Sequence, residues 1–255
     1  MNGLVRGLVW MVVSALFPMV WGQGVVSGTR PVITAVAPLA VVVGERTTLR
    51  VLGLNLATAR ELVFPGTGLP PVPLKARKAA EIPKTLEMKE VGDLQFEAEI
   101  ELPEDVPWGV LPVTVQSDVA RSVPVMVPVR ARSGTVNERE PNNGFTEANR
   151  LAEGHPVLGV IQAEKDVDVY AFDAKAGERF EVVLSASGRG SLLDGAVSVF
   201  DGDRRLLGAS NGEPGGALVV KLQIARSGVH HVVVTDAADR GGTWCGYELL
   251  LRRLP

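Results

Sequence analysis

The chain has 255 residues and a formal net charge of −3, from 26 basic and 29 acidic side chains. This balance excludes the basic surface that a nucleic-acid-binding protein or a protein docked on anionic lipid would need. The sequence has one cysteine, Cys245, so no internal disulfide can form and the hydrophobic cores must stabilise the fold alone. We interpret Cys245 as a small buried core residue, with intermolecular pairing as the alternative.

The amino terminus has the pattern of a signal peptide. Arg6 supplies a positive charge, residues 8–20 form an apolar run, and the small residue Gly22 stands before Gln23. The run is shorter than the ~20 residues that span a bilayer. We therefore predict that residues 1–22 are removed and that the mature protein is secreted, periplasmic or at the cell surface, with a retained anchor as the alternative. The mature chain is predicted to have no membrane span.

Alternating side chains predict strands in the next hundred residues. Between residues 94 and 102, Phe96, Ala98 and Ile100 share one face while glutamates occupy the other. Similar runs follow, separated by glycine and proline, and they predict a β-sandwich of immunoglobulin type over residues 30–130. The proline-rich residues 65–83 are expected to form a long connection.

A second series of strands follows a polar, glycine-containing linker at residues 131–136. Short alternating segments recur every 8 to 12 residues or so, which is typical of a sandwich or jelly roll. Only residues 146–152 look helical, and no strand–helix–strand rhythm suggests a nucleotide-binding sheet. The chain is thus predicted to be all-β, with two β-sandwich domains: an immunoglobulin-like domain and then a jelly-roll-like domain over residues 137–255.

Several motifs of the second half occur in the order known from one bacterial family. They are Glu138-Arg139-Glu140-Pro141-Asn142-Asn143, Gly159-Val160-Ile161, Asp166 to Phe172, Ala176-Gly177-Glu178, Leu193-Asp194, and the strands at residues 228–234 and 246–251. On these motifs the second half resembles the pre-peptidase C-terminal domain, a module attached to secreted proteases and collagenases. It departs from that pattern at His230, where many members have an aromatic residue, and at Ser210-Asn211-Gly212, where many have an acidic turn.

The first half has a weaker likeness, to a different family. Residues 31–38, Gly44 and residues 49–56 are similar to the opening strands of immunoglobulin-like modules of the IPT/TIG kind, and residues 108–116 are similar to a late strand. This resemblance implies a module that spaces or presents a partner domain.

Oxygen-bearing side chains are concentrated at the entrance of the second half. Calcium takes six to eight oxygen ligands at once, so its sites gather carboxylates and amide carbonyls from neighbouring segments. From the residues alone, an acidic linker and a solvated strand edge would explain the same pattern. The resemblance favours calcium, because related modules bind it through the matching entrance segment and the matching Asp-x-Asp. The predicted ligands are Glu138, Glu140, Asn142, Asn143, Asp166 and Asp168.

Candidate catalytic groups are few. The sequence has three histidines, and the adjacent pair His230 and His231 would point to opposite faces of a strand, so the two could not hold zinc together. His155 stands in a Gly-His-Pro loop. No Gly-x-Ser-x-Gly, His-Glu-x-x-His or phosphate-binding glycine loop is present. We therefore predict that the protein is not an enzyme.

Aromatic side chains that could bind a sugar or a fibrous protein are also few. Phe172, Phe180 and Tyr247 fall on inward-facing positions of alternating strands. Trp244 follows a glycine-rich loop and is the candidate for an exposed aromatic, with a position that caps the core as the alternative. The function predicted is a secreted, non-catalytic binding or targeting protein for an extracellular polymer, a polysaccharide or a fibrous protein, or for a partner protein. An accessory module pair that assists folding or secretion of a separate protease is the alternative.

Overall fold

The structure is a computed structural model, described here for residues 29–107, 109–212 and 216–255. Strands provide almost all of its regular structure, which confirms the all-β prediction. Within the described residues, no helix has the length and apolar character needed to cross a bilayer. The predicted signal peptide lies outside the described residues, so its cleavage stays a prediction.

Residues 29–130, which we call the first half, form two facing sheets. One has four strands in the order β1-β3-β7-β6 and the other has five in the order β2-β9-β8-β4-β5. The elements are β1 (Val32–Ala37), β2 (Val41–Val42), β3 (Arg46–Leu54), β4 (Ala59–Val63), β5 (Val72–Pro73), β6 (Lys75–Ala79), α1 (Met88–Val91), β7 (Leu94–Glu101), β8 (Val110–Ser117) and β9 (Val125–Arg130).

The core of the first half follows the predicted alternation. On β7, Phe96, Ala98 and Ile100 are buried between the sheets, whereas Glu99 and Glu101 are exposed. Gln95 shares the outer face of β7 with these glutamates, yet it is buried, because the segment before α1 covers it. The period of two thus predicts the inner face, but it does not show which outer positions a loop will cover.

Residues 65–83 are not a plain connection. They contain β5 and β6, and β6 pairs with β7 as an edge strand whose side chains are all exposed. An edge strand needs partners on one side only, so neighbouring prolines do not exclude it. The predicted helix at residues 146–152 is also wrong, since that segment is a turn followed by a short strand, while the four-residue α1 was not predicted.

Residues 136–255, the second half, also form two sheets, of five strands each. Their orders are β10-β12-β19-β14-β17 and β11-β13-β18-β15-β16. The strands are β10 (Val136–Asn137), β11 (Asn149–Arg150), β12 (Val157–Val160), β13 (Asp168–Ala174), β14 (Arg179–Ser185), β15 (Gly195–Phe200), β16 (Leu206–Asn211), β17 (Leu218–Gln223), β18 (Gly228–Asp236) and β19 (Gly246–Leu254).

The two halves pack against each other through Trp244. This side chain is 1% exposed and lies in a cluster with Ala35, Leu52 and Val91 of the first half. The backbone N–H of Val36 also donates to the carbonyl of Gly190 at 2.8 Å. Trp244 was the candidate for an exposed aromatic, with a core-capping position as the alternative; the structure places it in the buried position, because its neighbours come from the other half. The domain boundary at residues 131–136 stays a prediction.

Candidate metal centre

Three carboxylates meet where the chain enters the second half. β10 pairs in parallel with β12, so the next residue, Glu138, runs beside β12 and its N–H donates to the carbonyl of Leu158 at 3.0 Å. Glu140 follows two residues later. Asp168 is the first residue of β13, and the Val169 N–H beside it donates to the carbonyl of Asn142 at 2.9 Å. The fold thus ties the entrance segment to both sheets of the second half.

The geometry of these carboxylates suits a single ion. One oxygen from each of Glu138, Glu140 and Asp168 lies within 4.8 Å of the others. Calcium binds oxygen at 2.3–2.6 Å, so two ligands of one ion are separated by at most about 5 Å. Asp168 is buried, Glu138 is half-buried and Glu140 is exposed. Within the described residues, no arginine or lysine forms an ion pair with any of the three.

Two buried tyrosines complete the cluster on its inner side. Glu138 Oε2 accepts from Tyr170 at 3.0 Å and from Tyr247 at 3.1 Å, and its Oε1 accepts from the Val160 N–H at 2.6 Å. Asp168 Oδ2 accepts from Tyr247 at 2.5 Å, and the two tyrosine oxygens are 2.6 Å apart. A hydroxyl has one proton, so two tyrosine protons serve four close oxygen pairs. The other contacts require a carboxyl proton or a cation.

Burial sets the electrostatics of this cluster. It raises the pKa of the Asp168 carboxyl to about 8; the hydrogen bond from Tyr247 opposes the rise and the charge of Glu138 adds to it. Burial also raises the pKa of Glu138, although the hydrogen bond from the Val160 N–H lowers it in part. The pKa of each tyrosine hydroxyl rises for the same reason. Without a positive charge nearby, these acidic groups stay protonated to a higher pH than usual.

The buried amide of Asn142 has two possible orientations at this site. With its nitrogen towards the carboxylates, it donates to Glu140 Oε2 and to Asp168 Oδ1, each at 3.1 Å. With its oxygen towards the carboxylates, the amide places a third acceptor oxygen beside those of Glu140 and Asp168, and no proton lies between the three. The orientation of an amide follows from its hydrogen-bond partners. The orientation with the nitrogen towards the carboxylates therefore suits a site without an ion, and the orientation with the oxygen towards them suits an amide that is a ligand of a cation.

Asn143 and Asp166, the other two predicted ligands, lie beside this group rather than in it. Asn143 is exposed next to the buried Asn142. Asp166 accepts hydrogen bonds from the N–H of Gln162 at 2.6 Å and the N–H of Val167 at 3.0 Å, and so closes a turn. Its charge still contributes to the raised pKa of Asp168.

A second buried carboxylate lies one residue further along β19 from Tyr247. Glu248 accepts hydrogen bonds from Arg130 Nε at 2.7 Å, Arg130 Nη2 at 2.8 Å and Arg189 Nη1 at 2.8 Å. Burial alone would raise the pKa of Glu248, but these hydrogen bonds outweigh it and hold the pKa below its usual range. Since Arg130 belongs to β9, this group links the two halves.

The tyrosines were missed as part of the site because sequence reasoning assigned Tyr247 to the core. It is in the core, as are Phe172 and Phe180, but its hydroxyl needs a partner there. A tyrosine at an inward-facing position, where phenylalanine would fill the same space, could have indicated a buried polar partner for its hydroxyl. Cys245 is buried too, which raises the pKa of its thiol to about 12, as expected of a core residue.

The outer face of the β13-β18-β15-β16 sheet carries aromatic contacts that were not predicted. Phe145 packs edge-on against Phe200 at 5.7 Å and against His231 at 4.7 Å between ring centres, and the Arg204 guanidinium lies 5.3 Å from the Phe145 ring. His230 instead contacts Phe172 on the inner side. The two histidines therefore point to opposite faces, as predicted.

Comparison with known proteins yields distant structural likeness only. No protein-family model matches the chain, and no curated protein matches it. Similar solved structures include the pre-peptidase C-terminal domain of a collagenase from Bacillus anthracis, at 14% identity and a TM-score of 0.35, covering 45% of this chain and 100% of that domain.

Two further structures are similar over longer stretches. The SGBP-B protein of the Bacteroides ovatus mixed-linkage glucan utilization locus, in complex with a mixed-linkage heptasaccharide, has 10% identity and a TM-score of 0.25 over 77% of this chain and 71% of that one. The secreted serine protease VesC of Vibrio cholerae has 12% identity and a TM-score of 0.28 over 85% of this chain and 49% of that one. Likenesses at these TM-scores carry no argument about function.

Proposed function

We propose that this protein is a secreted, non-catalytic binding or targeting protein whose second half is stabilised by calcium. Its partner is an extracellular polymer, either a polysaccharide or a fibrous protein, or the surface of a partner protein. The observation that carries the calcium part of the proposal is the convergence of Glu138, Glu140 and Asp168 with no basic partner among the described residues. An ion at this point would fasten the entrance segment to β13, which is a structural role.

The donor set favours calcium over other common ions. Carboxylate and amide oxygens from Glu138, Glu140, Asn142 and Asp168 would hold it, and hard cations prefer such ligands. Zinc sites in proteins rely mainly on cysteine and histidine. Magnesium requires a small octahedral shell and keeps several waters, so it should substitute poorly. The wider set that includes Asn143 and Asp166 stays a prediction.

Calorimetric titration of calcium into the chelator-treated full chain tests the site. We expect saturable binding with a dissociation constant of about 10⁻⁴ to 10⁻³ M, the range of extracellular modules. Asp168→Asn should abolish the heat of binding. Asp173→Asn is the matched control, because Asp173 lies on the same strand but is exposed and paired with Arg150. A flat titration of the parent chain at millimolar calcium would contradict the calcium site.

Retention on insoluble polymers tests the binding function. The purified chain, in calcium, is mixed with insoluble polysaccharides and with fibrous proteins, and the bound fraction is measured after washing. Retention by one class of polymer supports the proposal. If no polymer retains the chain, but co-expression raises the yield of a secreted protease, the accessory role becomes the better explanation.

Export is a separate part of the proposal. The segment that supports it, residues 1–22, has the charge and apolar pattern of a signal peptide. Amino-terminal sequencing of the secreted protein should therefore begin near Gln23. Intact Met1 in a cytoplasmic fraction would contradict it.

A further inference from the structure

A cleft of about 450 Å³ lies between the two halves. The first half contributes the loop after β1 and Arg50 of β3, and the second half contributes β12, the adjoining turn and the start of β19. This volume is in the range of sites that enclose small ligands. We propose that the cleft binds a short stretch of a neutral polysaccharide, an inference that rests on the binding function proposed above.

Three polar side chains on the rim of this cleft have unused hydrogen-bonding capacity. Asn137, Gln162 and Thr243 line it and are exposed, and within the described residues none of their side chains makes a hydrogen bond to the protein. Amides and hydroxyls both donate and accept, as sugar hydroxyls do. These side chains can therefore either donate a hydrogen bond to a sugar hydroxyl or accept one from it, and neither contact requires a charged group.

The charge of the cleft favours a neutral ligand. Among the described residues that line it, Arg50 is the one permanently charged side chain, and it already pairs with Glu97 at 3.2 Å. An acidic polymer would have to compete with Glu97 for that guanidinium. Among the described lining residues there is no carboxylate that could bind a cationic polymer.

The walls and floor of the cleft are largely apolar, which suits the C–H faces of sugar rings. Pro38 is exposed at one wall and Leu158 lies at the other. The floor includes Gly159, where a Cβ atom would lie 2.3 Å from Tyr247 Cζ and 2.7 Å from Glu138 Oε2. A side chain at this position would point away from the cleft into the carboxylate cluster, so it is excluded and the floor lies directly above that cluster.

An extended peptide fits these features less well. Peptides usually bind a sandwich by adding a strand to a long free edge. The nearest edge on the second half is β10, which has two residues. The cleft instead presents side-chain amides and a hydroxyl around an apolar floor, and sugars combine hydroxyl edges with apolar faces in the same way.

The test is calorimetric titration of the full chain with four neutral hexasaccharides, cellohexaose, xylohexaose, maltohexaose and mannohexaose, in calcium so that the floor is held fixed. We expect one of them to bind. Gln162→Ala and Thr243→Ala should each weaken binding about fivefold, the effect of one lost hydrogen bond. Thr243→Trp should abolish binding by filling the cleft.

Gln223→Ala is the matched control, since Gln223 is an exposed glutamine on β17, away from the cleft. Each variant must keep the parent's melting temperature and calcium titration. Equal sugar binding by the parent and all cleft variants would overturn the cleft but leave the polysaccharide-binding function. If no hexasaccharide binds while an insoluble fibrous protein retains the chain, the cleft is overturned as a sugar site and the proposed function stands. Absence of both kinds of binding would overturn both.

Discussion

Two carboxylate sites lie on opposite sides of β19, the single Glu248 and the cluster of Glu138, Glu140 and Asp168, and they differ in how their charge is balanced. Glu248 is held by two arginines, and its pKa is lowered. One residue earlier, Tyr247 contacts Glu138 and Asp168, whose pKa values are raised. Consecutive strand residues point to opposite faces, so one strand serves both groups.

The difference shows what burial alone does to a carboxylate. Desolvation raises the pKa in both groups, and it is overcome only where a guanidinium donates hydrogen bonds. The group around Asp168 has no such partner among the described residues. A proton can neutralise it in part, but a divalent cation would satisfy several oxygens at once. This contrast is the physical reason for a calcium site.

Among the substitutions, the largest expected loss of stability comes from removing the charge of Glu248. Glu248→Gln leaves Arg130 and Arg189 without their shared carboxylate, and loss of one partner of a buried ion pair costs about 3 kcal/mol or more. We expect a loss of about 3 kcal/mol in the free energy of unfolding, at the lower end because the arginines are 24% and 32% exposed. Urea denaturation measures it, and calcium should not restore the loss.

Glu99→Gln is the control for that variant. Its carboxylate pairs with Lys75 at 3.3 Å, and both side chains are more than half exposed. Exposed pairs contribute at most about 1 kcal/mol. Equal losses in the two variants would mean that burial and the double hydrogen bonding of Glu248 make no difference.

Calcium should neutralise the negative charge of the carboxylates around Asp168. An ion that binds only the folded state adds about 2.7 kcal/mol at a hundredfold excess over its dissociation constant. The melting temperature should therefore rise with calcium in the parent chain and stay constant in Asp168→Asn. Without calcium, the variant should melt at the parent's temperature or slightly above it, because asparagine, unlike Asp168, does not have to take up a proton on folding. A clear loss of stability in the metal-free variant would show that Asp168 is held by protein contacts alone.

The two groups should respond to pH with opposite signs. The folded pKa of Asp168 is about 8, above its unfolded value near 3.9, so the metal-free chain loses stability as the pH rises between about 4 and about 8. The slope is at most about 1.4 kcal/mol per pH unit for one proton. Glu248, with its lowered pKa, contributes stability above about pH 4.5 that is lost as the pH falls through the folded value.

Urea denaturation from about pH 5 to about pH 8 separates these effects, because Glu248 is already ionised there. Saturating calcium should flatten the slope, since a metal ligand is deprotonated at every pH of the series. Asp168→Asn should reduce it without calcium, and the raised pKa of Glu138 accounts for the part that remains. An unchanged slope in this variant would assign the titration to a group other than Asp168.

The strands could be predicted because they depend on local pattern, whereas the residues alone did not distinguish a metal site from an acidic linker, and the choice of calcium came from the family resemblance. The alternation on β7 marks its buried face, and the spacing of Glu138 and Glu140 marks an oxygen-rich entrance. The environment of Trp244 could not be predicted, since Ala35 and Leu52 reach it from the other half of the chain. In the same way, no local pattern shows that a core tyrosine such as Tyr247 faces Asp168 across two sheets.

The smallest expected effect distinguishes the three converging carboxylates from the six residues suggested by the sequence. Asp166 closes a turn through two backbone N–H groups and lies outside the cluster, so its charge acts on a bound ion only at a distance. At an effective dielectric near that of water, such an interaction is worth about 1 kcal/mol, or about fivefold in affinity. Asp166→Asn should therefore weaken calcium about fivefold, with Asp173→Asn as the neutral reference. If Asp166→Asn instead abolished binding as Asp168→Asn should, Asp166 would be a direct ligand and the turn would have to open when the ion binds.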